Sequence, residues 1–143
     1  MSKTRIAIGL NDDSVEIRGL FDGYKSGLQV HTDQVLSIAK INSNIIVTGS
    51  KDHSITVWQL SPLKIKYLKG HTYWVSYLIK FSKNLIISRS DDKSIKIWNI
   101  TNRNCLKTLY DDISPFCKCI VKISKNQIIS EGKKNTIKIT NLN

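Results

Sequence analysis

The sequence predicts an all-β fold in which four small antiparallel sheets stack side by side. One strand–turn–strand pattern recurs along the 143 residues, and its branched apolar residues alternate with polar ones at period two. Its turns contain Asp, Asn and Ser, which favour tight turns. No stretch carries the 3.6-residue apolar period of an amphipathic helix.

The recurring hairpin occurs four times, at 5–20, 45–60, 85–100 and 127–142. The second copy reads IIVTGSKDHSITVWQL and the third reads LIISRSDDKSIKIWNI, so small, charged and aromatic residues stand at the same places. In each copy an apolar run rich in Ile and Val leads through a polar turn into an alternating run. Such a segment is typical of two strands joined by a turn.

Further strand-like runs lie between the hairpins, at 28–41 and 67–81, so one period holds four strands. We expect residues 1–143 to form a single domain of four units, with three, four, four and three strands, at approximately 5–30, 31–70, 71–110 and 111–143. Small sheets that are apolar on both faces must stack face to face, and radial stacking gives a β-propeller.

Short motifs at the ends of the units carry a family resemblance. Gly70-His71 and Val30-His31 open two units, and Trp58-Gln59 and Trp98-Asn99 close their third strands. With the period near forty, these motifs resemble WD40 repeats, in which Gly-His opens the unit and Trp-Asp closes it. The resemblance covers essentially the whole chain and implies propeller blades that act as a non-catalytic scaffold for proteins or peptides.

The WD40 resemblance also implies a buried tetrad of His, Ser or Thr, Asp and Trp in each complete unit. Two sets match by position: His31, Thr48, Asp52, Trp58 and His71, Ser88, Asp92, Trp98. In such a set the carboxylate holds one imidazole nitrogen, the hydroxyl meets the other, and the indole N–H donates to the hydroxyl. The terminal copies depart from the pattern, with Ile8, Asp12 and Arg18 in the first and Ile113, Ser130, Lys134 and Thr140 in the last.

A Ser-His-Asp set can also indicate a hydrolase. Here the hydroxyl stands within a strand, no G-x-S-x-G elbow surrounds it, and the set recurs once per unit. We therefore expect a structural role, no enzymatic activity and no cofactor. The three cysteines, Cys105, Cys117 and Cys119, lack metal-ligand spacing, so no metal site is expected.

In WD40 proteins, partners usually dock on the face that carries the loops between units and the loops between the second and third strands. Aromatic and cationic residues map there, which suits an acidic or phosphorylated segment. The candidate residues are Asp33, Tyr73, Trp74, Arg89, Lys51, Lys93, Phe116, Lys133 and Lys134. Packing against the next unit is an equal reading for Trp74 and the favoured one for Phe116.

A net charge of +11 suggests nucleic-acid or chromatin association as the alternative function. The 18 lysines and 4 arginines are scattered, however, and only Lys133-Lys134 form an adjacent pair. A solvated basic surface is therefore favoured over a phosphate-binding track.

Four units with incomplete ends form only part of a ring. A homodimer of eight units is the favoured closure, and a partner protein or a compact four-unit monomer are the alternatives. The N-terminus lacks signal-peptide features and no apolar run is long enough for a membrane span, so an intracellular location, cytoplasmic or nuclear, is expected.

Overall fold

The computed structural model describes residues 5–9, 14–19, 25–110, 120–131 and 136–142, and every regular element in these ranges is a β-strand. No helix in the described ranges is long and apolar enough to cross a bilayer. Fourteen strands follow in chain order: β1 (Arg5–Gly9), β2 (Ser14–Gly19), β3 (Lys25–Gln29), β4 (Val35–Lys40), β5 (Ile45–Ser50), β6 (Ile55–Leu60), β7 (Leu63–Leu68), β8 (Val75–Lys80), β9 (Leu85–Ser90), β10 (Ser94–Asn99), β11 (Cys105–Tyr110), β12 (Ile120–Lys122), β13 (Gln127–Glu131) and β14 (Ile137–Asn141).

The strands form four antiparallel sheets of three, four, four and three strands. Sheet 1 holds β1–β3, sheet 2 holds β4–β7, sheet 3 holds β8–β11 and sheet 4 holds β12–β14, with neighbours in chain order. Short turns enforce this order, because a tight turn joins only antiparallel neighbours. The prediction of an all-β fold built from four-stranded antiparallel sheets is confirmed.

The central strands of sheets 2 and 3 are buried on both faces. Their branched Ile and Val side chains suit this position, because they pack well on a pleated surface. A sheet of this kind needs an apolar cover on each side, which the neighbouring sheets provide.

Each sheet packs against the next one along the chain. We call the face toward the next sheet the trailing face and the face toward the preceding sheet the leading face. The trailing face of sheet 1 covers Trp58 of sheet 2 through Val15 and Ile17. The trailing face of sheet 2 covers Trp98 of sheet 3, and that of sheet 3 covers Ile120 of sheet 4 in the same manner.

The sheets follow one another along an arc. Strand β1 packs on β4, β4 packs on β8, and β8 packs on β12. Within the described residues, sheets 1 and 4 do not pack against each other in this way. The leading face of sheet 1 and the trailing face of sheet 4 are therefore the two ends of the arc.

Candidate functional site: two polar networks and an aromatic rim

The functional candidates lie where the loops between sheets meet the turns inside sheets. The Lys51 amide donates to the Gln34 carbonyl over 2.9 Å, and the Asp91 amide donates to the Trp74 carbonyl over 3.0 Å. These bonds place residues 31–34, 51–54, 71–74 and 91–93 on one edge of the molecule, which we call the rim.

The turns on the rim are fixed by their own polar side chains. Asp52 Oδ1 accepts from the Ser54 amide and hydroxyl over 2.9 and 2.7 Å. Asp92 holds Ser94 in the same way over 2.9 and 2.6 Å. The residue after each aspartate, His53 or Lys93, adopts a positive φ in the tight turn. The second carboxylate oxygen of each aspartate points toward a buried histidine.

The first network joins four side chains on the leading face of sheet 2. Asp52 Oδ2 lies 2.8 Å from His31 Nδ1, and His31 Nε2 lies 2.7 Å from Thr48 Oγ1. The indole of Trp58 donates to Thr48 Oγ1 over 2.8 Å. With a neutral imidazole, Nδ1–H donates to the carboxylate and Nε2 accepts the hydroxyl proton, so each of these groups has a partner.

The second network repeats this geometry on the leading face of sheet 3. His71 Nδ1 lies 2.7 Å from Asp92 Oδ2, and His71 Nε2 lies 2.7 Å from Ser88 Oγ. Trp98 donates to Ser88 Oγ over 2.8 Å. The structure thus brings together all eight residues that the WD40 resemblance implies, in two sets of four.

The surroundings of the second network lower the pKa of its two titratable groups. Burial raises the pKa of the Asp92 carboxyl, but hydrogen bonds from Ser94, the Thr72 amide and His71 outweigh it and lower that pKa from 3.8 to about 2. Burial lowers the pKa of His71, although the neighbouring Asp92 opposes this effect. The pKa of Asp52 is lowered for the same reasons as that of Asp92: burial raises it, and the Ser54, His31 and Thr32 hydrogen bonds outweigh burial.

The two networks are closed to substrates. Thr48 and Ser88 have no solvent exposure, and each hydroxyl already has an imidazole and an indole as partners. A nucleophile needs an exposed position beside a site that can stabilise an oxyanion. The arrangement instead ties two strands of one sheet, and the turn between them, to the loop that enters the sheet.

The terminal sheets hold only fragments of the pattern. Ser130 is buried at the hydroxyl position of sheet 4. In sheet 1, Arg18 stands at the indole position and forms an ion pair with Glu16. Ile8 is half-buried at the hydroxyl position. Asp12, Ile113 and Lys134 lie outside the described residues.

Aromatic rings form a continuous stack on the rim between sheets 2 and 3. His53 stacks on Tyr73 with centroids 5.6 Å apart, and Tyr73 stacks on Trp74 at 5.2 Å. Lys51 Nζ lies 4.6 Å from the centroid of the Trp74 ring. The stack therefore combines an exposed aromatic surface with a cation at one end.

Arg89 was expected to be accessible on the rim, and the structure places it elsewhere. Its side chain is buried, and Nη1 donates to Ser76 Oγ and Asp91 Oδ1, both over 2.7 Å. Successive side chains of β9 point to opposite faces of the sheet. Ser88 lies on the leading face, so Arg89 lies on the trailing face, toward sheet 4. Arg89 can therefore support the 91–93 turn from below but cannot present a charge to a ligand.

The other rim candidates fall into two groups. Asp33 and Lys93 are exposed on the described rim. Phe116, Lys133 and Lys134 lie outside the described residues, and so do Cys117 and Cys119. Within the described ranges, no cluster of His, Cys, Asp and Glu could hold a metal ion.

Two lysines join neighbouring sheets at the edge opposite the rim, a role that the sequence argument missed. Lys80 Nζ donates to the Ile41 carbonyl over 2.6 Å, and Lys122 Nζ donates to the Phe81 carbonyl over 2.5 Å. Lys122 also lies 4.6 Å from the centroid of the Phe81 ring. The signal was present, because both lysines stand at the same position of the repeat.

Comparisons with known proteins agree with this architecture. The family model described as "WD domain, G-beta repeat" matches residues 24–59 and 62–99. The crystal structure of the computationally designed Ika4 protein is similar, with a TM-score of 0.83 and 25% sequence identity over all of this chain and 88% of that one. The structure of U3-55K gives a TM-score of 0.80 at 18% identity, over 94% of this chain and 47% of that one. This chain therefore spans about half the length of U3-55K. No individual curated protein matches the sequence significantly.

Proposed function

Because the chain belongs to the WD40-repeat family, whose members are in general non-catalytic scaffolds for protein interactions, we propose that it binds an acidic or phosphorylated peptide segment of a partner protein at its rim. The residues proposed to contact the segment are His53, Tyr73, Trp74, Lys51 and Lys93.

The observation that carries the proposal is the aromatic stack with Lys51 at its end. Tyr73 is 46% exposed, and the rings beside it restrict its movement. A rigid aromatic side chain loses little conformational entropy when it binds, which makes such a group a good anchor for a peptide.

The charges beside the stack favour an anionic ligand. Asp52 and Asp92 point into their networks, and Asp91 is paired with buried Arg89. The remaining charges of the described rim are then half-buried Lys51 and exposed Lys93 against exposed Asp33. A phosphate or carboxylate near Lys51 would gain a charge-assisted hydrogen bond while its peptide packs on the rings.

The test begins with selection of peptides from a random display library on the immobilised chain. Selected peptides are then measured by fluorescence polarisation against Tyr73→Ala and Lys51→Gln. We expect enrichment of Asp, Glu or phosphorylated residues, and at least about tenfold weaker binding by both variants. Tyr67→Ala is the matched control, because Tyr67 is 45% exposed on the outer strand β7 and is not one of the rim residues, and this variant should bind like the wild type.

Selected peptides without acidic residues, or a Tyr73→Ala variant that binds as well as Tyr67→Ala, would overturn the proposal.

Nucleic-acid binding is the second candidate, and the net charge of +11 is the observation that favours it. The described lysines do not follow one track: Lys51 and Lys93 lie on the rim, Lys80 lies at the opposite edge, and Lys64 and Lys66 lie on the outer strand β7. This distribution supports the peptide proposal. Tight binding of a single-stranded RNA oligonucleotide that falls steeply with salt, without peptide enrichment, would instead favour the second candidate.

A further inference from the structure

The fourth sheet has an apolar trailing face that no described sheet covers. The strand pairing places Val121, Ile129, Ile137 and Ile139 on this face, with Ile123 just beyond β12. Ile137 is 76% exposed and Ile139 is 59% exposed. A contiguous apolar surface of this kind marks an interaction site more often than isolated exposed residues do.

The equivalent positions of sheets 2 and 3 are buried. Ile55 and Ile95 occupy the position of Ile137 and are 0% and 2% exposed. In both sheets the cover is the leading face of the next sheet. The trailing face of sheet 4 therefore has the composition of an internal sheet-to-sheet interface but lacks its cover among the described residues.

The leading face of sheet 1 is the other end that no described sheet covers. The strand pairing places Ile8, Glu16, Arg18 and Lys25 on it. Glu16 is buried and pairs with Arg18 and, over 3.3 Å, with Lys25. Lys96 is a buried charge at the position of Glu16 on the covered leading face of sheet 3, so a charged residue here is compatible with a cover.

The charges of the two uncovered faces are complementary. Arg18 and Lys25 exceed Glu16 by one positive charge on the leading face of sheet 1. Glu131 is the one charged side chain on the described trailing face of sheet 4. Opposite net charges favour contact between these two faces over pairing of either face with itself.

We propose that the trailing face of sheet 4 docks on the leading face of sheet 1 of a second copy of this chain. The contact repeats the packing of sheet 1 on sheet 2, of sheet 2 on sheet 3 and of sheet 3 on sheet 4. It is head-to-tail, and two copies satisfy all four uncovered faces by closing a ring of eight sheets. The proposal does not depend on what the rim binds.

The first experiment measures the mass of the chain in solution by light scattering after gel filtration, over a hundredfold range of concentration. We expect twice the 16.3 kDa of one chain for the wild type and 16.3 kDa for Ile139→Lys. Ile139 is exposed, so the substitution should leave the fold of one chain intact, whereas a lysine buried in the interface lacks a partner. Leu106→Lys is the matched control, because Leu106 is 54% exposed on β11, and it should keep the mass of the wild type.

The second experiment tests the head-to-tail arrangement. Ile8→Lys places a cation on the leading face opposite Glu16, where the ion pair compensates it in the isolated chain. This variant should also have the mass of one chain. An equimolar mixture of Ile8→Lys and Ile139→Lys should regain a dimer held by one intact junction, because the trailing face of the first variant and the leading face of the second are unchanged, whereas neither variant alone can form an intact junction.

Three results would overturn the proposal. A wild type of 16.3 kDa at every concentration shows no self-association, and an assembly that grows without limit shows no closed ring. An Ile8→Lys variant that remains dimeric, while Ile139→Lys does not, shows that two trailing faces pair with each other. If circular dichroism finds Ile139→Lys unfolded, Val121→Lys, on the same exposed face, takes its place.

Discussion

At the scale of single residues, the aspartates of the 51–54 and 91–93 turns each join a turn, a loop and a buried side chain. Asp92 accepts from its own turn, from the Thr72 amide and from His71, and Asp52 does the same in the preceding sheet. One carboxylate thus fixes a turn, a loop and a buried imidazole. We propose that both networks act as structural ties and not as catalytic groups.

Asp92→Ala should lower the free energy of unfolding by about 3–5 kcal/mol, because it leaves the buried imidazole of His71 without its partner. Urea unfolding followed by tryptophan fluorescence measures the loss. Asp33→Ala is the control, because Asp33 is exposed and its carboxylate accepts from the neighbouring Gln34 amide, and it should cost less than about 1 kcal/mol. Equal losses in the two variants would contradict a structural role of the network.

The pH dependence of stability follows from the lowered pKa values of His71 and Asp92. Both groups bind protons less tightly in the folded chain, so the unfolded chain takes up more protons and the stability decreases as the pH is lowered. The His71 contribution should start to fall below its ordinary value of 6.5, and that of Asp92 should be lost between 3.8 and about 2. The Asp92 contribution amounts to at most about 2 kcal/mol.

Urea unfolding at a series of pH values measures this dependence. His71→Gln should flatten the decline below pH 6.5, whereas His53→Gln, which changes an exposed rim residue, should keep the slope of the wild type. The same slope in both variants would exclude His71 as its origin.

At the scale of strands and sheets, the close approach of neighbouring sheets limits the size of the side chains between them. Strand β5 passes so near β8 that a Cβ at Gly49 would lie 2.7 Å from Val75 Cγ1 and 3.0 Å from the Val75 carbonyl oxygen. The spacing between sheets 2 and 3 therefore depends on a missing side chain. Lys80 and Ser37 add hydrogen bonds across the same junction.

Gly49→Ala should destabilise the chain by about 1–3 kcal/mol, because the new methyl group overpacks the junction and backbone must move. Gly27→Ala is the matched control in strand β3, since a Cβ there would meet nothing within 4 Å. It should be neutral or slightly stabilising, because alanine restricts the unfolded chain. Thermal unfolding of the two variants distinguishes the effects, and equal midpoints would exclude overpacking at Gly49.

At the scale of the whole molecule, the uncovered faces at the ends of the arc and the high net charge have different origins. The apolar trailing face of sheet 4 is the strongest sign of a larger assembly, and the measured mass of the chain is the test that belongs at this scale. The charge of +11 is partly structural, since Lys80 and Lys122 hold sheets together through backbone carbonyls. A high net charge therefore does not by itself indicate a nucleic-acid partner.

The sequence alone determined the sheets, and its resemblance to WD40 repeats gave the members of the two networks. Period-two alternation and turn chemistry act within one unit, and the repeat aligns His31 with His71 and Trp58 with Trp98. Only the tertiary structure decided the burial of Arg89, the stack of His53 on Tyr73 and the reach of Lys122 to Phe81. These contacts join different units, and their distances depend on how one sheet is set against the next, which no local pattern records.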